Sequence, residues 1–236
     1  MIKTRAGDTG NTLFVYHRFI MTNVMHKLMT TLAAILIAAS AFAAPKNYDL
    51  KSPNGKLSVS VEAGEGISYT LTHDGDLLLD KTSISMATTS GELFGGIQPV
   101  RKVTRRSVSQ IIPTVLYKKA EVKDEFNEMT LKFKRFSLIF RAYDDGMAYR
   151  FVSHLKDAYQ IEQEFVNFNF AQDWNMWAGY VAHNTYSLEG QYFTSNEAQY
   201  TYAPLSQWNK ERIAFLPLMV DGPNGKKIVI TEADNR

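Results

Sequence analysis

Residues 136–151 read Phe-Ser-Leu-Ile-Phe-Arg-Ala-Tyr-Asp-Asp-Gly-Met-Ala-Tyr-Arg-Phe. Phe136, Leu138 and Phe140 fall on one side of an extended chain, Asp144-Asp145-Gly146 offers a turn, and Met147, Tyr149 and Phe151 return on a single side. Period-two alternation on both limbs of an Asp-Gly turn predicts an antiparallel hairpin with one buried face.

The same signal recurs on both sides of this stretch. Upstream, Lys56-Leu57-Ser58-Val59-Ser60-Val61 alternates, Ile67, Tyr69 and Leu71 continue the pattern, His73-Asp74-Gly75 turns, and Leu77-Leu78-Leu79 begins again. Downstream, Ile213–Val220 faces Lys227–Thr231 around Asp221-Gly222-Pro223-Asn224-Gly225. Helical periodicity is nearly absent after Pro45. Many strands and frequent turns over about 200 residues predict an all-β fold, a large antiparallel sandwich or barrel in one domain. No repeat or low-complexity linker divides it. Gln172 to Asn209, rich in Trp, Tyr, Asn and Gly, reads as a long irregular excursion between strands, and such excursions often carry function.

Composition supports a folded chain. Of 236 residues, 45% are hydrophobic, 12% aromatic and 21% charged, enough burial to offset chain entropy. There is no Cys, which excludes a disulfide scaffold, thiolate metal sites and a Cys nucleophile.

Leu28 to Ala44 reads LMTTLAAILIAASAFAA, follows His26 and Lys27, and ends in Ala41-Phe42-Ala43. A short basic region, an apolar core and a small-x-small site predict a cleaved signal helix over residues 21–43 and a secreted, most simply periplasmic, product. The run is short for a membrane span and Pro45 follows it. Met1–Ile20 does not fit a signal, and Met21 or Met25 is the better start, so residues 1–20 are expected to be mis-assigned upstream sequence. Charge follows this division. The net of +2 and the pI near 8.6 come from Lys3, Arg5, Arg18 and Lys27 against Asp8; residues 44–236 keep 22 cationic and 23 anionic side chains. Neither nucleic-acid binding nor membrane attachment after cleavage is expected.

Four stretches together resemble the N-terminal domain of glycoside hydrolase family 97. Leu50-Lys51-Ser52-Pro53-Asn54-Gly55-Lys56 is similar to the family's SPxGK opening, and Phe140–Phe151 to its RAYxDGxAYRF hairpin. Glu197-Ala198-Gln199-Tyr200 with Pro204-Leu205 is similar to its ExxYxxxPL stretch, and Ile230-Thr231-Glu232-Ala233-Asp234 to its ITEAD segment. The order agrees over nearly all of Pro45–Arg236. The resemblance implies a β-supersandwich of the kind also found in sugar mutarotases. In the family this precedes a (β/α)8 barrel and a small C-terminal β domain. It also implies an exo-acting α-glucosidase or α-galactosidase with calcium in the active site and α-linked oligosaccharide as substrate. The acid–base pair lies on the barrel, and the N-terminal domain contributes a glutamate towards the calcium. Glycoside hydrolysis needs two carboxyl groups flanking one bond. The resemblance places both beyond Arg236, so residues 44–236 are expected to be inactive alone, with the barrel missing.

Within that frame Glu197 is the first candidate for the calcium-directed carboxylate, with Glu189 and Glu232 as alternatives. Each also reads as a solvated loop or strand-end acid, and calcium needs six to eight oxygens in all. Trp174, Trp177 and Tyr192, with Tyr180 and Tyr186, could stack on a pyranose face or bury against the sandwich or the barrel. His73, His154 and His183 lack metal spacing, Asp144-Asp145-Gly146 reads as a turn, and Lys102, Arg105 and Arg106 read as a basic run solvated on one face of a strand. The competing reading is a stand-alone, non-catalytic carbohydrate-binding sandwich.

Overall fold

The computed structural model describes residues 45–115, 118–181, 187, 189–193 and 198–232. Among these, fourteen strands follow in order. β1 (Lys46–Lys51), β2 (Leu57–Ala63), β3 (Ile67–His73), β4 (Asp76–Thr88) and β5 (Leu93–Phe94) come first. β6 (Lys102–Pro113), β7 (Glu121–Lys132), β8 (Phe136–Ala142), β9 (Met147–Ser153) and β10 (Ile161–Asn167) come next. β11 (Asn175–Tyr180), β12 (Thr201–Pro204), β13 (Ala214–Asp221) and β14 (Lys227–Ile230) complete the set. All their pairings are antiparallel. The first sheet runs β1-β2-β3-β4-β10 with β5 beside β4, the second β6-β7-β8-β9 and the third β12-β11-β13-β14. The fold is the expected all-β antiparallel sandwich. The expected signal helix lies outside the described residues.

Alternation decides which faces meet. In β2 and β3, Leu57, Val59, Val61, Ile67, Tyr69 and Leu71 are buried and their neighbours half-buried. The hairpin β8–β9 aligns Leu138 with Phe151 and Phe140 with Tyr149, and Phe136, Leu138 and Phe140 are fully buried. First and second sheets therefore close on one core. There Phe136 stacks at 4.4 Å on Phe133 and 5.0 Å on Phe94, and Tyr69 meets Phe140 edge-on at 5.9 Å. The turn at Asp74-Gly75 takes positive φ at both residues (51° and 84°), the geometry of a two-residue hairpin. Tyr143 N–H to Gly146 O, 2.8 Å, closes the β8–β9 turn.

The third sheet has its own inner cluster of Met176, Ala178, Tyr180, Leu218 and Val220, and Phe170 and Ile228 pack against both this cluster and the main core. Lys226 secures the junction by donating to His73 O at 3.0 Å and pairing with Asp76, which also accepts from Asn224 Nδ2 at 2.8 Å.

Two expectations change. The excursion Gln172–Asn209 is not irregular throughout, because it contributes β11 and β12. Its alternation is masked because β11 carries apolar side chains on both faces, Met176 and Ala178 inward and Trp177 outward. The basic run also divides. Lys102 and Arg106 share a face of β6 and Arg105 takes the other, and all three are exposed because β6 is a sheet edge.

Candidate functional site

The outward face of the third sheet is the most distinctive exposed surface. Register places Tyr202, Trp177, Met219 and Val229 side by side across its four strands. The rings of Trp177 and Tyr202 lie 4.5 Å apart at 37°, yet Trp177 is 38% and Tyr202 49% exposed. A polar row borders the aromatic one. Asn175 Nδ2 donates to Tyr202 Oη at 3.0 Å, Tyr202 Oη donates to Asp221 Oδ2 at 2.9 Å, and Lys227 Nζ donates to Asp221 Oδ1 at 2.6 Å. The Lys227 ammonium, then the Tyr202 hydroxyl, hold the Asp221 carboxyl below its ordinary range. The ionised carboxylate thus fixes the phenol that supports Trp177. An aromatic shelf edged by amide, carboxylate and ammonium can take the C–H face of a pyranose and its hydroxyls, or an apolar protein surface.

The segment between β11 and β12 is tied to the same sheet. A 3-10 turn, Glu189–Phe193, is anchored by buried Gln191. Its Nε2 donates to Glu211 O and its Oε1 accepts from Ile213 N–H, both at 2.8 Å. Tyr180 Oη accepts from Asn209 N–H at 2.9 Å under the Arg212 guanidinium, 5.1 Å from its ring. With its base fixed, the turn leaves Tyr192 (71%) and Phe193 (91%) in solvent.

The sequence candidates separate across this framework. Trp174 packs on the inner cluster, edge-on to Phe170 at 6.5 Å; Trp177 stands on the opposite, outward face, and Tyr192 on the turn. Tyr180 is buried. Trp177 pairs with Tyr202, which sequence reading did not single out; alternation through Tyr200-Thr201-Tyr202 is the signal that marks it. Glu197, Tyr186 and His183 lie outside the described residues, and of Glu189 only the backbone, in the 3-10 turn, is described.

Glu232 is exposed and close enough to act on Tyr149, whose hydroxyl donates to Glu164 Oε1 at 3.1 Å. Burial first, then Glu164 and more weakly Glu232, push the Tyr149 phenol well above its ordinary value. Among the described residues no three carboxylate or imidazole groups converge as a metal site would require. His154 Nε2 sits 3.0 Å from Ser137 Oγ, His73 lies beside Asp74 at 3.6 Å, and Asp144 Oδ1 accepts from Asn54 N–H at 2.9 Å; these are structural contacts.

Comparison with known proteins gives these surfaces a context. Residues 50–236 match the glycosyl-hydrolase 97 N-terminal family. The chain is similar to a retaining alpha-galactosidase of Bacteroides thetaiotaomicron, 34% identical over 210 residues, which are 88% of this chain and 32% of the relative. It therefore spans about a third of the length of that curated relative. Among solved structures, it resembles a glycoside hydrolase family 97 enzyme from Pseudoalteromonas sp. strain K8 in complex with acarbose. That match has TM-score 0.64 and 18% identity over 79% of this chain and 28% of the other. It also resembles a beta-arabinopyranosidase, with TM-score 0.68 and 18% identity over 80% of this chain and 32% of that one. At such identity the structural likeness concerns the fold.

Proposed function

The chain belongs to the glycosyl-hydrolase 97 family through its N-terminal domain, and on that premise we propose that it is the non-catalytic β-sandwich of a secreted, calcium-dependent α-glycosidase. Its substrate class is an α-linked oligosaccharide of the α-glucoside or α-galactoside type. The sandwich scaffolds a catalytic barrel and lends one wall to the sugar pocket. The observation that carries this reading is the family match over residues 50–236, with two carboxylates still required for hydrolysis and about two thirds of the relative's length lying outside the match.

In this reading the exposed row Tyr202–Trp177–Met219–Val229 is the face that accepts the barrel. The segment after β11 carries a glutamate, Glu197 before Glu189 or Glu232, towards calcium. The donor set among the described residues does not close a calcium site, because a lone carboxylate leaves most of the required oxygens to be supplied from elsewhere. The carboxylate's role is then to complete and orient a cation shell, and the chain alone binds calcium weakly. Calcium, when bound, offsets charge at the sugar and orients it.

The exposed Trp177–Tyr202 stack favours a second reading, a carbohydrate-binding module that works without a barrel. One experiment separates the two. The purified chain is incubated with p-nitrophenyl α-glucoside and α-galactoside plus calcium, and titrated with an α-glucan oligosaccharide. The scaffold reading expects no turnover, no saturable sugar binding, and an in-frame barrel downstream of Arg236 in the coding DNA. Turnover above a blank overturns it; saturable binding abolished by Trp177→Ala establishes the second reading in its place.

A further inference from the structure

The outward face of the second sheet gathers charge that the composition conceals. Register sets Arg106, Glu128 and Arg141 in one row across β6, β7 and β8. The next row on the same face ends in Arg150 beside Ile139, and the row beyond places Lys102 directly opposite Lys132. Arg106 and Arg141 share the one carboxylate, Glu128, at 2.6–2.9 Å. Lys102, Lys132 and Arg150 are exposed, and none of the ion pairs among the described residues involves them. Four exposed cations and the half-buried Arg141 thus share one nearly buried anion over a patch of about 14 by 14 Å, in a segment whose overall charge is slightly negative. Like charges directly opposite on neighbouring strands cost stability, so folding alone gives no reason for Lys102 to face Lys132.

The same face of β6 runs on past the end of β8. β7 pairs with β8 only from Asn127 onward, so the remainder of β6 and β7 projects as a two-stranded arm. Along it Arg106 is followed on that face by Val108, Gln110 and Ile112, and the tip carries Val115 with Lys118 and Lys119. Ile112 is 43% and Val115 88% exposed.

From this juxtaposition we propose that the basic face of the second sheet and the exposed side chains of Ile112 and Val115 on the β6–β7 arm form a docking surface for an anionic lipid bilayer. The exposed apolar side chains Ile112 and Val115 beside the cations favour a bilayer over a free polyanion, which offers no apolar region to receive them. Cations near an anionic leaflet and apolar side chains at the headgroup boundary reinforce one another. This revises the expectation of no membrane contact, because net charge averages over faces that a sheet separates. It is independent of the glycosidase reading, which concerns a different sheet.

The test is co-sedimentation of the purified full chain with phosphatidylglycerol-containing vesicles and with pure phosphatidylcholine vesicles. The readout is the change in the ratio of the two between wild type and variant, so attachment through the basic and apolar stretch 26–44, common to both, cancels. The expected result is selectivity for anionic vesicles that collapses in 0.5 M salt. It should fall about fivefold for each cation removed, and so about a hundredfold in Lys102→Gln/Lys132→Gln/Arg150→Gln; Ile112→Ser/Val115→Ser should weaken binding at unchanged salt dependence. All five side chains are exposed, and an unchanged urea midpoint confirms the fold. Equal binding to both vesicle types, selectivity undiminished in the triple variant, or binding to a heparin column without vesicle selectivity would each overturn the proposal.

Discussion

Glu128 is the most instrumented side chain of the second sheet. It is 6% exposed, yet two guanidiniums reach it, and Arg141 in turn lies over the Phe126 ring at 4.3 Å. Buried acids are tolerated when their oxygens are occupied, and here Arg106 takes both while Arg141 shares one. Arg106 foremost, then Arg141, hold the carboxyl below its ordinary value against the opposing effect of burial. A depressed folded value means that the pairing contributes fully above the unfolded glutamate value near 4.3 and is lost as pH falls through the lower folded one. Glu128→Gln should therefore cost about 2 kcal/mol at neutral pH, discounted for the exposure of Arg106. The gap between wild type and variant in urea midpoint should narrow as pH drops from about 5 to about 3. A gap independent of pH would mean that shape rather than charge holds the row.

At the scale of elements, the hairpins are readable, β13–β14 of the third sheet among them, and the other two strands of that sheet are not. Phe136–Phe151 and Lys56–Leu79 announce themselves because one face is apolar, the other polar, and Asp-Gly marks the reversal. β11 and β12 escape because they are short and Trp177 and Tyr202 put aromatic rings where polar residues would signal an outward face. The order β12-β11-β13-β14 depends on a chain return that no local pattern records. The Trp177–Tyr202 pairing is legible only once register is known.

Local geometry also distinguishes two glycines of similar appearance in sequence. Gly75 has φ +84° with open space around a Cβ, whereas at Gly95, φ +92°, a Cβ would stand 2.5 Å from Ile84 O. Gly75→Ala should cost about 1 kcal/mol through φ alone. Gly95→Ala should cost about 3 kcal/mol or more, since the β4–β5 contact must open. Urea unfolding of the two variants checks the ranking, and equal midpoints would contradict it.

Across the whole molecule, the two outward faces differ in kind: one is aromatic and edged by Asp221 and Lys227, the other basic. The aromatic face, if it is where a barrel rests, is uncovered in the isolated chain, and exposed apolar rows of this kind promote association. Sedimentation velocity at rising concentration should show self-association reduced by Trp177→Ser and unaffected by Lys132→Gln. The opposite pattern would place the sticky surface on the second sheet.

The first sheet is completed out of chain order, by β10 on β4. Everything from β5 through β9 is made in between, so during synthesis at about 5–20 residues per second the long β4 leaves the ribosome several seconds before its outer partner exists. For that interval its backbone groups on that side are open to any extended segment nearby. The β8–β9 hairpin forms within the same interval, so a nascent chain has its second sheet in place before its first can be finished.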